Sequence, residues 1–237
     1  MCTVSFIYSN NVAILTHNRD EKTSRPSAIH PKPYLINNKT IYFPKDPQAG
    51  GTWFALTQSK TVLVLLNGAQ EKHSPKPFYR KSRGLIVLDL ISADSPIDEW
   101  NKIELSNIEP FTIVLFHESK LYQLRWNDVE KIILNLEVSQ SYIWSSSTLY
   151  SEEVRKNREI LFQDFLNSNI LSPKEILHFH QYTNENDLEN GLIINRNGKL
   201  ITQSITQTVF DENKVVLSYV DLINHQEFTN LITQIII

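Results

Sequence analysis

Apolar residues along this chain fall into runs of two kinds, some rich in β-branched and aromatic residues and others at helical spacing. "CTVSFIY" and "NVAILTHNRD" are β-rich runs separated by the turn-forming "SNN", so the N-terminus reads as a hairpin that starts near Cys2. Its second strand carries His17 to Asp20 at the far end. "KTIYF", "GTWFALT" and "TVLVLLNG" predict further strands, the middle one introduced by Gly50-Gly51 as a turn. "LIVLDLISADS" fits a buried strand or a helix by periodicity; we read a helix beginning near Lys81. "FTIVLFHESKLYQLRWND" reads as a hairpin around residues 117–120. "SEEVRKNREILFQDFLNSN" is an amphipathic helix with Ser151 as candidate cap and Glu152 and Glu153 in the favourable first turn. Ser172-Pro173-Lys174-Glu175 is a capping box that starts a second helix through His180. "GLIINRNGKLITQSITQTVF" predicts a hairpin on Asn197-Gly198, and "KVVLSYVDL" a last strand. Strands at both ends enclosing helices predict an α+β protein built on large antiparallel sheets, and the lack of a repeat or linker predicts one domain over residues 1–237.

Composition narrows the function classes. Hydrophobic residues make up 41% and charged residues 21%, ordinary for a globular protein, and 237 residues suffice to bury a core. The 23 basic and 26 acidic residues give a formal charge of -3, with no basic block to neutralise a run of phosphates. Nucleic acid is therefore not an expected partner. No run approaches the roughly 20 apolar residues of a membrane helix, and the start lacks the features of a signal peptide, so a cytoplasmic location is expected. Oligomeric state is not legible.

Cys2 is the single cysteine, so neither an internal disulfide nor a thiolate-rich metal site is expected. Aminopeptidases remove Met1 before a small residue such as cysteine, which would leave a thiol and a free α-amine on one residue. An α-amine has a pKa of about 7.7 to 8.0 and a thiol about 8.5, so they exchange a proton at little cost near neutrality. The amine can serve as general base while the thiol attacks a carbonyl, and the ammonium can protonate the leaving group. The plainer reading is a small buried hydrophobe without chemistry. Arg19-Asp20-Glu21, at the end of the second strand, would lie beside Cys2 in so short a hairpin. A guanidinium there would lower the thiol pKa, and a carboxylate could hold the amine; a solvated charged turn is the alternative.

"MCTVSFI", "THNRDE" followed by "RPSA", "AGGTWFAL", "LLNG" and "KSRG", in this order, resemble the NRDE family, also called the transport and Golgi organisation protein 2 family. The motif that names the family is here Asn18-Arg19-Asp20-Glu21. The resemblance is strongest over about the first ninety residues and continues more weakly through "YIWSSSTLYSEEVRKNRE" to "SITQTVF". The family is similar to the cysteine branch of the N-terminal-nucleophile (Ntn) hydrolases, which includes bile-salt hydrolases, penicillin V acylases and acyl-coenzyme A-dependent acyltransferases. This implies a four-layer αββα sandwich with Cys2 at the start of a central strand. It makes Cys2 the nucleophile and base, Arg19 the group that polarises the thiol, Asp20 the carboxylate near the amine and Glu21 a reserve. In the hydrolases that aspartate usually lies a few residues beyond the arginine, whereas Asp20 adjoins it. Asn67 matches the asparagine that donates to the oxyanion, although Asn67-Gly68 is equally a turn dipeptide.

Two departures from the family pattern stand out. Ser146 takes the place of a second oxyanion-site asparagine, and a hydroxyl can still donate. Ile205 stands where many members carry an arginine. Elsewhere, His178-x-His180 places its rings on different helix faces with no further ligand, so no metal or other cofactor is expected. Trp53, Trp126 and Trp144 fit either an acyl pocket or a core. Two functions follow from the resemblance. One is an amidohydrolase or acyltransferase working on a small amide or thioester through an acyl-Cys2 intermediate. The other is a non-catalytic protein that binds or transfers haem, a lipid or acyl-coenzyme A, with Cys2 touching the ligand.

Overall fold

The computed structural model describes residues 2–168, 170–211 and 214–234; Met1, and with it the expected removal of that residue, lies outside them. Strands β1 (Cys2–Ser9) and β2 (Val12–Lys22) form the expected hairpin. Asn10 and Asn11 turn it at φ of 52° and 63°, a region that asparagine tolerates through its short polar side chain. Next comes β3 (Ile29–Ile36), which the sequence pattern does not predict because Pro31 and Pro33 remove two backbone donors. It survives at a sheet edge, where one side needs no ladder. β4 (Lys39–Lys45), β5 (Phe54–Thr57) and β6 (Val62–Asn67) agree with their β-rich runs. The ambiguous apolar run is α1 (Arg83–Ser92). A short α2 (Pro96–Lys102) follows, capped by Ser95, whose hydroxyl accepts from the Asp98 amide at 3.2 Å.

β7 (Phe111–His117) and β8 (Lys120–Trp126) make the hairpin expected around Glu118 and Ser119. β9 (Lys131–Leu136) and β10 (Tyr142–Ser145) are strands whose mixed polarity gives little periodic signal. α3 (Glu152–Ser168) starts after Ser151, which accepts from the Val154 amide at 3.3 Å. α4 (Pro173–Tyr182) starts after Ser172, which accepts from the Glu175 amide at 3.2 Å, the serine half of the predicted capping box. β11 (Asn195–Arg196) and β12 (Leu200–Phe210) turn on Asn197-Gly198, and β13 (Lys214–Asp221) is followed by an unpredicted β14 (Gln226–Gln234). The protein is thus α+β, with two antiparallel sheets and flanking helices. Among the described residues no helix is long and apolar enough to cross a membrane.

Contacts group the chain into two compact units. The first, Met1–Arg25 with Ser139–Ile237, holds a sheet in the order β10-β1-β2-β12-β13-β14, with β11 against β12. α3 and α4 cover one of its faces, where Ile7 and Ile14 from the hairpin pack with Phe162, Ile176, Phe179 and Leu192. The second unit, Pro26–Val138, is a meander in which β3 to β9 pair in chain order, with α1 packed on β4, β5 and β6. There Gly51 and Gly84 let two backbones meet: the Thr52 amide donates to the Gly84 carbonyl at 3.1 Å. A Cβ on Gly84 would lie 2.8 Å from both Thr52 N and O, so that part of the "AGGTWFAL" and "KSRG" motifs is a packing requirement. In the same unit Trp53 and Trp126 are buried, and the Trp126 indole donates to the Ile108 carbonyl at 2.9 Å.

Candidate functional site

The register of the first hairpin decides what the NRDE motif can reach. β1 and β2 pair Cys2 with Arg19, Thr3 with Asn18, Ser5 with Thr16 and Ile7 with Ile14. Opposed positions share a sheet face and successive ones alternate. Thr3, Ser5, Asn18 and Asp20 therefore belong to the helix-covered face, while the Cys2 and Arg19 positions belong to the other. The motif sends its charged residues to both sides of one sheet.

Arg19 is only 3% exposed and is held from two directions. Its guanidinium donates to Gln203 Oε1, and Glu21 lies 3.8 Å away, itself 3.9 Å from Arg25. Gln203 gets there through a β-bulge: β12 pairs Thr202 with Asp20 and Ser204 with Arg19, which leaves Gln203 as the extra residue.

Asp20 is fully buried, and both its carboxylate oxygens accept from hydroxyls: Oδ1 from Thr202 and Oδ2 from Tyr150, each at 2.7 Å. Burial raises the Asp20 pKa, and the two hydroxyls and the Arg158 charge oppose it. Burial pushes the Tyr150 phenol well up, so it remains a donor. The Tyr150 ring stacks on the Arg158 guanidinium, 3.7 Å from carbon to ring centroid, with Arg196 at 5.4 Å. Arg158, 1% exposed, donates to Thr3 Oγ1 at 2.6 Å, Ser145 Oγ at 3.2 Å and the carbonyls of Asn190 and Gly191. It ties the start of β1 to β10 and to the loop before β11.

On the same face Ser5, His180 and Asn18 form a chain that looks like a nucleophile, a base and an orienting amide. Ser5 Oγ is 2.7 Å from His180 Nε2, and His180 Nδ1 is 2.5 Å from Asn18 Oδ1. All three are fully buried, and desolvation, helped by Arg158, lowers the His180 pKa to about 3. The Ser5 hydroxyl is committed to His180 beneath α4, on the sheet face opposite the Cys2 and Arg19 positions, so this is a core hydrogen-bond network. His178 is exposed on the other side of α4, as the two-residue spacing requires, and among the described residues no cluster of three metal-ligating side chains occurs.

The remaining expected residues divide between the units. Ser146 follows β10, and continuing the pairing of Thr3 with Ser145 by one residue brings it level with Cys2. It is 1% exposed, its hydroxyl lies 3.0 Å from Thr148 Oγ1, and its carbonyl accepts from the Tyr150 amide at 3.1 Å. Ile205 is fully buried in β12 as the partner of Asn18. Asn67 ends β6 in the second unit, half-buried and paired with Phe111. Trp144 is half-buried and stacks on Tyr142. Sequence reasoning missed Tyr150, Thr202, Gln203 and Arg158. Only Arg158 left a trace: it interrupts the apolar stripe of Val154, Leu161 and Phe165 on α3.

The family described as Transport and Golgi organisation 2 matches residues 1–187. No curated protein matches the sequence. Among solved structures, a variant of conjugated bile acid hydrolase from Clostridium perfringens is similar with a TM-score of 0.54 and 10% identity, over 98% of this chain and 92% of that one. The Caenorhabditis elegans ortholog of N-acylethanolamine-hydrolyzing acid amidase gives 0.58 and 10%, over 87% and 92%. A second variant of the C. perfringens hydrolase gives 0.56 and 10%, over 98% and 92%. The shared feature at this identity is the fold, that of the Ntn hydrolases.

Proposed function

Since the chain belongs to the transport and Golgi organisation 2 family and starts its sheet with Cys2 opposite Arg19, we propose that it is a cysteine amidohydrolase or acyltransferase acting on a small amide or thioester. The observation that carries this reading is the Cα pairing of Cys2 with a buried guanidinium. A fixed cation favours thiolate over thiol, and burial weakens the screening that water would provide. The similarity in fold to a conjugated bile acid hydrolase and an N-acylethanolamine-hydrolyzing acid amidase supports the substrate class.

In the proposed reaction the α-amine of Cys2 takes the thiol proton as sulfur bonds to the carbonyl carbon. The tetrahedral intermediate collapses, the carbon–nitrogen bond breaks, and the ammonium returns the proton to the leaving amine. Water then attacks the thioester, releasing a carboxylic acid and restoring the thiol; an amine as acceptor would give acyl transfer. Ser146, level with Cys2, supplies a hydroxyl donor for the oxyanion. A role for Asn67 rests on the resemblance alone.

Intact-mass spectrometry before and after brief exposure to a thiol-reactive acyl probe at neutral pH tests the reading, with Arg19→Ala as control. Expected are a mature chain without Met1 and labelling of Cys2 that slows in the variant. Retained Met1, or labelling at the rate of a free thiol whatever stands at position 19, would overturn it and favour a non-catalytic ligand-binding protein.

A further inference from the structure

Asp20 adjoins Arg19 on β2, and continuing the register of β1 and β2 by one residue puts it just beyond Cys2, at the amine end of that strand. Two hydroxyls already occupy its carboxylate, one on each oxygen. Thr202 is its Cα partner on the neighbouring strand, so that contact comes with the sheet. Tyr150 is different. It belongs to the loop between β10 and α3, 130 residues away in sequence, and where it meets Asp20 its ring lies against Arg158 and its amide bonds back to Ser146.

We propose that Tyr150, braced by Arg158, is a positioning residue that sets the orientation and charge of Asp20 toward the amine of Cys2. This rests on Cys2 acting as an N-terminal nucleophile. A carboxylate rotating about its last bond would present different lone pairs to the amine, whereas one fixed at both oxygens by donors at 2.7 Å holds a single orientation. The Arg158 cation does not bond to Asp20. It is spent on Thr3, Ser145 and two backbone carbonyls, and it acts on Asp20 through space and through the ring it stacks on. The charged and titratable groups around the carboxylate are Tyr150, Arg158, Arg196 behind the ring, Arg19 one residue back along β2, and the neutral His180 near the same guanidinium.

Removing the phenol hydroxyl leaves a buried carboxylate with one donor fewer, which makes its anion less favourable. Less negative charge at the amine end of β1 then disfavours both an ammonium there and the protonated state of the pair it forms with the thiol. The pH midpoint for alkylation of Cys2 therefore falls.

The experiment is the rate of Cys2 alkylation by iodoacetamide against pH for the full chain, for Tyr150→Phe, for Asp20→Asn and for the double variant. The expected result is a midpoint lowered by about 0.5 pH unit or more in Tyr150→Phe, and no further shift when the same change is made in Asp20→Asn. An unshifted profile in Tyr150→Phe, with only lower thermal stability, would reduce Tyr150 to a structural role and overturn the inference. So would a shift that persists without Asp20. If Tyr150→Phe does not fold, Arg158→Lys, which keeps the charge but loses the flat stack, is expected to lower the midpoint in the same direction, and an unchanged midpoint there overturns the inference. A parent chain that keeps Met1 or shows no activated thiol overturns the proposed function first, an outcome distinct from an activated parent with an indifferent Tyr150.

Discussion

Asn18 and His180, 162 residues apart, fix each other's orientation in the core. The Asn18 amide nitrogen donates to the carbonyls of His180 at 3.0 Å and Leu192 at 2.8 Å. Its oxygen must therefore accept, which puts the proton on His180 Nδ1 and leaves Nε2 to accept from Ser5. The first letter of the NRDE motif thus joins β2 to α4 and to the loop before β11. Asn18→Ala would leave two buried carbonyls and a ring N–H short of partners, and is expected to cost about 3 kcal/mol or more in chemical denaturation. Cys2 labelling in the folded protein should change less than it does in Arg19→Ala, because Asn18 lies on the helix-covered face.

The same network predicts acid sensitivity. His180 titrates near 3 in the folded chain against an ordinary 6.5, and His17, fully buried, is lowered too, first by desolvation. Between these values the unfolded chain binds protons that the folded one cannot, so stability falls as pH drops below 6.5 and levels off only near 3. Asp20 acts in the opposite sense above 3.8, because its folded pKa is raised. The His180 shift alone corresponds to a loss of about 2 kcal/mol between pH 7 and pH 5, to which His17 adds and from which Asp20 subtracts, so stability from urea unfolding should fall between those values. Equal stability at the two values would contradict buried neutral imidazoles.

Gln203 holds the arginine from the bulge. Gln203→Leu keeps the size but removes the acceptor, so the guanidinium is no longer fixed. Alkylation of Cys2 at neutral pH is expected to slow by about threefold, against about tenfold for Arg19→Ala. An unchanged rate would mean that Glu21 alone suffices to hold Arg19.

Gly51 carries a purely steric prediction. A Cβ there would run into the Gly84 backbone at the start of α1, where no flexible side chain can give way. Gly51→Ala should lose about 3 kcal/mol in thermal or chemical unfolding. Gly50→Ala meets no such wall, but Gly50 has φ of 74°, so a smaller loss from backbone strain is expected.

Much of the fold was legible from the chain alone, because it is written in local signals. The Asn10-Asn11 and Asn197-Gly198 turns, the caps at Ser151 and Ser172, and the β-rich runs of β1, β2 and β6 to β8 need only residues adjacent in sequence. Hence the first hairpin and the neighbourhood of Cys2 and Arg19 could be read directly. The strands that escaped, β3, β9, β10 and β14, are proline-bearing or of mixed polarity and are held by pairing rather than by propensity. The surroundings of the motif were decided by tertiary structure alone. Tyr150 and Thr202 reach Asp20 across 130 and 182 residues, and the bulge that delivers Gln203 to Arg19 exists only once β12 pairs with β2. A buried charge takes its partners from whatever the fold brings into reach, and that choice leaves no period in the sequence.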